Sequence, residues 1–97
     1  MKVVAKVVII PIGEGSSISK YVKEAIEVLK KYNLKVEPTA MGTILEGDLD
    51  EILNAYKDAH LKVLSISNRV YSSLTIDHKK DVDNTIEGKL KSIGEIK

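Results

Sequence analysis

The sequence predicts an α+β fold, two strand–helix–strand units joined by a hairpin. Three observations carry that expectation. Apolar residues alternate in four short stretches and recur at helical spacing in two long ones, in the order strand, helix, strand, strand, helix, strand. Met41-Gly42-Thr43-Ile44-Leu45-Glu46-Gly47-Asp48-Leu49-Asp50-Glu51-Ile52 reads as a strand running directly into a helix. Ala40-Met41-Gly42 is short enough to turn one strand back on its neighbour.

The first strand is Val3 to Ile10. Val3, Ala5, Val7 and Ile9 form one face; Val4, Val8 and Ile10 form most of the other, around Lys6. A strand apolar on both faces is covered on both faces, and in a chain of 97 residues one cover is expected from a second copy. Pro11 to Ser17 is a loop broken by Pro11, Gly13 and Gly15. Its small residues precede a helix, an arrangement that suits a polar or anionic ligand, while Ser17 suits a helix cap. The loop is neither a Walker loop nor a dinucleotide fingerprint: no Gly-Lys-Ser/Thr closes it, and Ile18 stands where the third glycine belongs.

Helix one runs from about Ile18 to Tyr32, with Ile18, Tyr21, Val22, Ala25, Ile26 and Leu29 inward and Asn33 placed to end it in a left-handed conformation. The second strand, Leu34 to Thr39, carries Pro38, which confines it to an edge or makes Pro38 its end. In the third strand Thr43, Ile44 and Leu45 favour a pleated backbone, and Gly47 is expected to allow a sharp turn. Asp48 with Glu51 reads as a capping box for helix two, Leu49 to about Leu64. Its expected stripe is Leu49, Ile52, Leu53, Tyr56, His60, Val63 and Leu64, with His60 a boundary residue. Ser65 to Asn68 is a loop. Arg69 to Asp77 is the fourth strand, with Tyr71, Ser73, Thr75 and Asp77 on one face, polar enough for a ligand or a hydrogen-bonded interface. After a charged loop, Asn84 and Glu87 open a last helix, Thr85 to about Ile93.

This order is the ferredoxin-like βαββαβ arrangement with an extra C-terminal helix, one domain over residues 1–97. Right-handed crossovers put both long helices on one face of a four-stranded antiparallel sheet. The other face, with Val4, Val8 and Ile10, is expected to pack on another copy, in a dimer or tetramer, with polar residues of that face and adjoining loops framing a ligand pocket.

Composition narrows the function classes. Net charge is +1 with acids and bases interspersed, so neither nucleic acid nor an anionic membrane is an expected partner. There is no cysteine, hence no disulfide, thiolate metal site or thiol nucleophile. No apolar run approaches a membrane span and no signal-peptide layout is seen, so the expected location is the cytoplasm. Lys and Glu abound while Gln is absent, a heat-adapted pattern. Arg69, the single arginine, invites a role for its planar fork. Catalysis ranks last: there is no metal-spaced cluster, histidine pair or Ser–His–Asp pattern.

Pro11-Ile12-Gly13 with Ser16 to Val22, the Met41-Gly42-Thr43-Ile44-Leu45-Glu46-Gly47 block, Asn68-Arg69-Val70 and Ile76-Asp77 together resemble the small thiamine-binding protein family of archaea and bacteria. The resemblance spans essentially the whole chain. It implies a ferredoxin-like, dimeric or tetrameric protein that binds thiamine or its hydroxymethylpyrimidine moiety without catalysis and needs no cofactor. It places Ser16, Ser17, Ser19, Thr43 and Glu46 in the ligand site, with Arg69 and Asp77 in matching segments. Tyr71 could stack on a ligand ring or face its cation. The competing expectation is a structural or regulatory oligomer of the same fold that senses another small metabolite.

Overall fold

The computed structural model describes all 97 residues, Met1–Lys97. Four strands, β1 (Val3–Pro11), β2 (Lys35–Thr39), β3 (Gly42–Gly47) and β4 (Val70–Asp77), form one sheet in the order β2-β3-β1-β4, every pair antiparallel. Helices α1 (Ser19–Leu29) and α2 (Leu49–Ser65) cross over one face. A short third helix, α3 (Ile86–Ser92), follows β4. This is the ferredoxin-like arrangement with its extra helix. No helix is long and apolar enough to cross a membrane.

Alternation divides the central strand as the sequence implies. Val3, Ala5, Val7 and Ile9 are buried under the helices with Leu45 of β3, Ala25 and Leu29 of α1, and Ile52, Ala55, Ala59 and Val63 of α2. The two alanines of α2 let its backbone lie close to the sheet. They also rotate the buried stripe away from the expected one: Leu53 and Leu64 stay 43% and 40% exposed. Tyr56 and His60 sit on the flank between, where the Tyr56 hydroxyl and His60 Nδ1 each lie 2.7 Å from Ser72 Oγ of β4.

The opposite face carries the other set in register. Val4 lies between Asp77 and Glu46, Lys6 between Thr75 and Ile44, and Ile10 beside Tyr71. Val4, Val8, Ile10 and Ile44 are half-buried. One end of this face is closed by the chain itself. Asn84, almost wholly buried, donates from its amide nitrogen to the Lys2 carbonyl (2.9 Å) and from Nδ2 to the Asp77 carbonyl (2.8 Å).

Several local expectations are corrected. Asp48 precedes α2, but its side chain caps no helix amide; it accepts from the N-terminal ammonium (3.1 Å), and Glu51 accepts from Asn33 N (3.0 Å), so two distant segments replace the capping box. Ile18, not Ser17, is the residue before α1, with no side-chain cap. Helix α1 ends at Leu29 rather than Tyr32, and Asn33 does not adopt positive φ. The Thr85 hydroxyl, not Asn84, caps α3, accepting from Gly88 N at 3.0 Å. Pro11 extends β1 and pairs with Val70 instead of opening the loop. Gly47 has no positive φ; its missing side chain makes room for Leu34, whose Cδ2 would lie 2.5 Å from a Cβ there.

Gly42 is the glycine under conformational demand. Its φ is +145°, and a Cβ would meet Val8 Cγ2 at 3.0 Å and the Val7 carbonyl at 3.1 Å. A Gly42→Ala protein is expected to lose about 1–3 kcal/mol, the usual scale of backbone strain, in urea unfolding. Unchanged stability would show that the hairpin tip has room to move.

Candidate functional site

Strands β1 and β3 differ in length, and a cleft results. Pairing between them runs from Val3↔Gly47 to Val7↔Thr43 and stops, while β4 follows β1 to Pro11. From Val8 to Ile10 the edge of β1 on the β3 side has no strand partner. The β2–β3 hairpin tip and α1 stand on either side of that gap. Between them lies a cleft of about 290 Å³ lined by Val7 to Ile10, Ile18, Val22, Ala25, Ile26, Leu29 and Thr39 to Thr43. None of these side chains is charged.

Two hydroxyls reach the cleft, and they differ. Thr39 Oγ1 donates to the Gly42 carbonyl (2.6 Å) and accepts from Met41 N (3.2 Å), so it pins the hairpin tip. Thr43 is only 6% exposed and faces the helix side, and its hydroxyl, which takes part in no side-chain hydrogen bond of the chain, is not sealed off from the cleft. A hydroxyl that opens on a mostly apolar cleft is a recognition point, because a ligand that covers it without matching it costs about 1–3 kcal/mol. The cleft opens along α1 into a second hollow, where Ser19, Lys23, Glu27 and Lys30 join Ile18, Val22 and Ile26.

Glu46 is elsewhere. It lies three residues from Thr43 and on the opposite face, so one subunit cannot set both against one heterocycle. At 9% exposure its Oε1 accepts from Ile86 N at 2.8 Å, the first amide of α3, and Lys2 Nζ lies 3.8 Å from Oε2. A carboxylate at a helix start satisfies an amide that has no partner within the helix. Around it is a polar hollow of about 400 Å³ containing Met1, Lys2, Lys35, Asp48 and Asp83.

The remaining expected residues do not converge. Ser16 and Ser17 are exposed on the loop before α1, and Ser19 lines the second hollow. The Arg69 carbonyl accepts from Ile12 N (2.7 Å), but its side chain is exposed. Tyr71 is exposed on the open face beside Ile10, whose residue also borders the cleft. Asp77 stands at the far end of that face, bonded by Lys89. Sequence reasoning did not find the cleft itself or the Tyr56–Ser72–His60 cluster. The unequal lengths of the first and third strands were the available signal for the first; Ser72, on the helix side of a strand whose outer face is polar, was the signal for the second. No group of three or more His, Cys, Asp or Glu is placed to hold a metal ion.

The Lys89 ammonium, with smaller help from Asn84 and Lys79, holds the Asp77 carboxyl below its ordinary value of 3.8. A carboxyl lowered by folding stabilises the native state above its unfolded-chain value, and that contribution is lost as pH falls through the folded value. A Lys89→Met protein is therefore expected to be less stable than the parent at about pH 6 and to converge with it below about pH 3. Parallel urea titrations at the two pH values check this; equal differences at both would remove the ion pair as the cause.

Comparison with known proteins gives a consistent picture. Residues 5–94 match the family described as thiamine-binding protein. A UPF0045 protein of Methanocaldococcus jannaschii is 68% identical over 95 residues, covering 98% of this chain and 95% of the relative. The crystal structure of a hypothetical protein from the same organism superposes with a TM-score of 0.94 at 68% identity, covering 98% of both chains. A Thermotoga maritima structure described as a putative thiamine biosynthesis/salvage protein superposes with a TM-score of 0.85 at 26% identity, covering 96% of this chain and 99% of that one.

Proposed function

The chain belongs to the thiamine-binding protein family, and from that premise we propose that it binds thiamine, through its hydroxymethylpyrimidine moiety, in the cleft beside β1, and does not transform it. The observation that carries this reading is the Thr43 hydroxyl, which no side-chain hydrogen bond of the chain uses, in a cleft whose lining is mostly apolar and carries no charge. A methylated aminopyrimidine has apolar faces and edge nitrogens, and such a wall supplies one hydrogen bond to an edge and contact to the rest. Burying roughly 100 Å² of ring surface is worth about 2.5 kcal/mol, so the hydroxyl and the apolar lining contribute comparably.

The absence of charge in the lining assigns the two rings of thiamine differently. The neutral pyrimidine enters; the cationic thiazolium stays outside, towards the Tyr71 side of β1, since Lys23 and Lys30 outweigh Glu27 in the second hollow. No titratable side chain lines the cleft, so nothing there serves as general acid or base, which supports binding rather than catalysis. The half-buried apolar residues of the open face support an oligomeric state, and a cytoplasmic role in handling the vitamin completes the reading. Should Glu46 or Asp77 meet ligand, they do so from the open face and not from this cleft.

Calorimetry with thiamine and hydroxymethylpyrimidine tests the proposal. Thr43→Val is expected to weaken both about tenfold, the loss of one hydrogen bond from a buried polar edge. Glu46→Gln, which keeps an acceptor for Ile86 N, is expected to bind as the parent does. No thermal shift with either compound, against a clear shift with an unrelated metabolite, would favour the sensor reading, since any ligand selective for the native state raises its stability.

A further inference from the structure

The cleft beside β1 is not closed along α1. Ile18, Val22, Ile26 and Ala40 line both the cleft and the second hollow, so the two share a wall and run into one another. Their chemistry differs. The lining of the cleft carries no charge, whereas the second hollow holds Lys23, Lys30 and Glu27.

The two lysines are neighbours around the helix. With 3.6 residues per turn, Lys23 and Lys30 point within about 20° of each other, beside Ile26 and Ser19. Glu27 lies about 40° further round, on the side away from Val22 and Ile26. Neither ammonium is engaged within the chain. Lys2, Lys35, Lys89 and Lys91 each have a carboxylate partner, and Lys20 rests over the Tyr21 ring, but Lys23 and Lys30 are in no ion pair. Two unpaired cations against one carboxylate give the hollow a positive sign, next to a neutral cleft.

That contrast bears on which substituent a ring in the cleft can carry. A hydroxyl both donates and accepts, so Thr43 can meet either the amine or a ring nitrogen of an aminopyrimidine. It therefore does not decide which way the ring's substituent points; the charges at the mouth do. A cationic substituent turns away from the lysines, and an anionic one turns towards them. The hydroxymethyl group of the pyrimidine is an alcohol, and a phosphate ester of an alcohol carries a charge of about −1.5 to −2 at neutral pH. Lysine ammoniums on flexible stems follow such a group without needing a fixed geometry.

We propose that the second hollow is a phosphate subsite: with the pyrimidine in the cleft, Lys23 and Lys30 hold the phosphate of its hydroxymethyl phosphate ester, so the ester is bound in preference to the free alcohol. Glu27 opposes the phosphate and limits that preference. The inference rests on the pyrimidine reading of the cleft and adds to it the charge of the ligand.

Calorimetry with hydroxymethylpyrimidine and with its monophosphate, each on the same protein, tests the subsite apart from the cleft. At low ionic strength the parent is expected to bind the monophosphate about tenfold more tightly than the alcohol, the scale of exposed charge-assisted contacts. That ratio is expected to shrink at about 0.5 M salt, because exposed charges are screened. The double variant Lys23→Gln, Lys30→Gln is expected to bind the monophosphate no better than the alcohol, and Glu27→Gln to raise the ratio above that of the parent. A parent that binds the alcohol and shows no preference for the monophosphate overturns the phosphate subsite and leaves the pyrimidine reading standing. A preference that persists in the double variant overturns it as well, since the phosphate is then held elsewhere. Binding of neither compound removes the pyrimidine reading and the subsite with it.

Discussion

Strand β1 sits at the centre of the sheet, and its two neighbours hold unequal lengths of it. β4 follows it over eight residue pairs, β3 over five. Because one face of β1 is buried beneath α1 and α2, its register cannot slip to even out the difference; a shift of one residue would turn Val3, Ala5, Val7 and Ile9 outward. The shortfall therefore persists as a gap at one end, roofed by α1 and flanked by the hairpin tip. The hairpin stays close because Gly42 has no side chain to strike Val8, and because Thr39 ties its own turn. The cleft is thus a consequence of strand length fixed by core packing, and the register places Thr43 in its wall.

The same register separates two residues that look like neighbours in the sequence. Thr43 and Glu46 differ by an odd number of positions, so the pleat sends them to opposite faces. Glu46 has a structural partner in the first amide of α3, and with Asn84 it fastens the C-terminal segment over the end of the open face. One end of that face is covered from within the chain, which leaves the apolar stretch of Val8 and Ile10 half-buried beside it.

Much of this architecture was legible before the structure. The four strands, two long helices, their order and the ferredoxin-like class followed from periodicity and from the hairpin at Ala40 to Gly42. Which residues of β1 face inward followed from alternation alone. The helix ends were read less well, because partners from distant segments displaced the local caps: Asp48 turned to the N-terminus and Glu51 to Asn33. In α2 the large apolar residues suggested a stripe that the small ones won, since Ala55 and Ala59 allow closer approach to the sheet than Leu53 and Leu64 could. For the candidate site, the expected set brought Thr43 and Glu46 together as neighbours in sequence. Parity along β3 and β4 distributes it over two faces and two ends of the sheet.

Nuclear magnetic resonance mapping of hydroxymethylpyrimidine onto the backbone amides tests the location of the site most directly. The account predicts that shifts concentrate at Val8 to Ile10, Ile18 to Val22 and Gly42 to Thr43. Shifts confined instead to Lys35, Glu46 and Asn84, with the β1 edge silent, would contradict it.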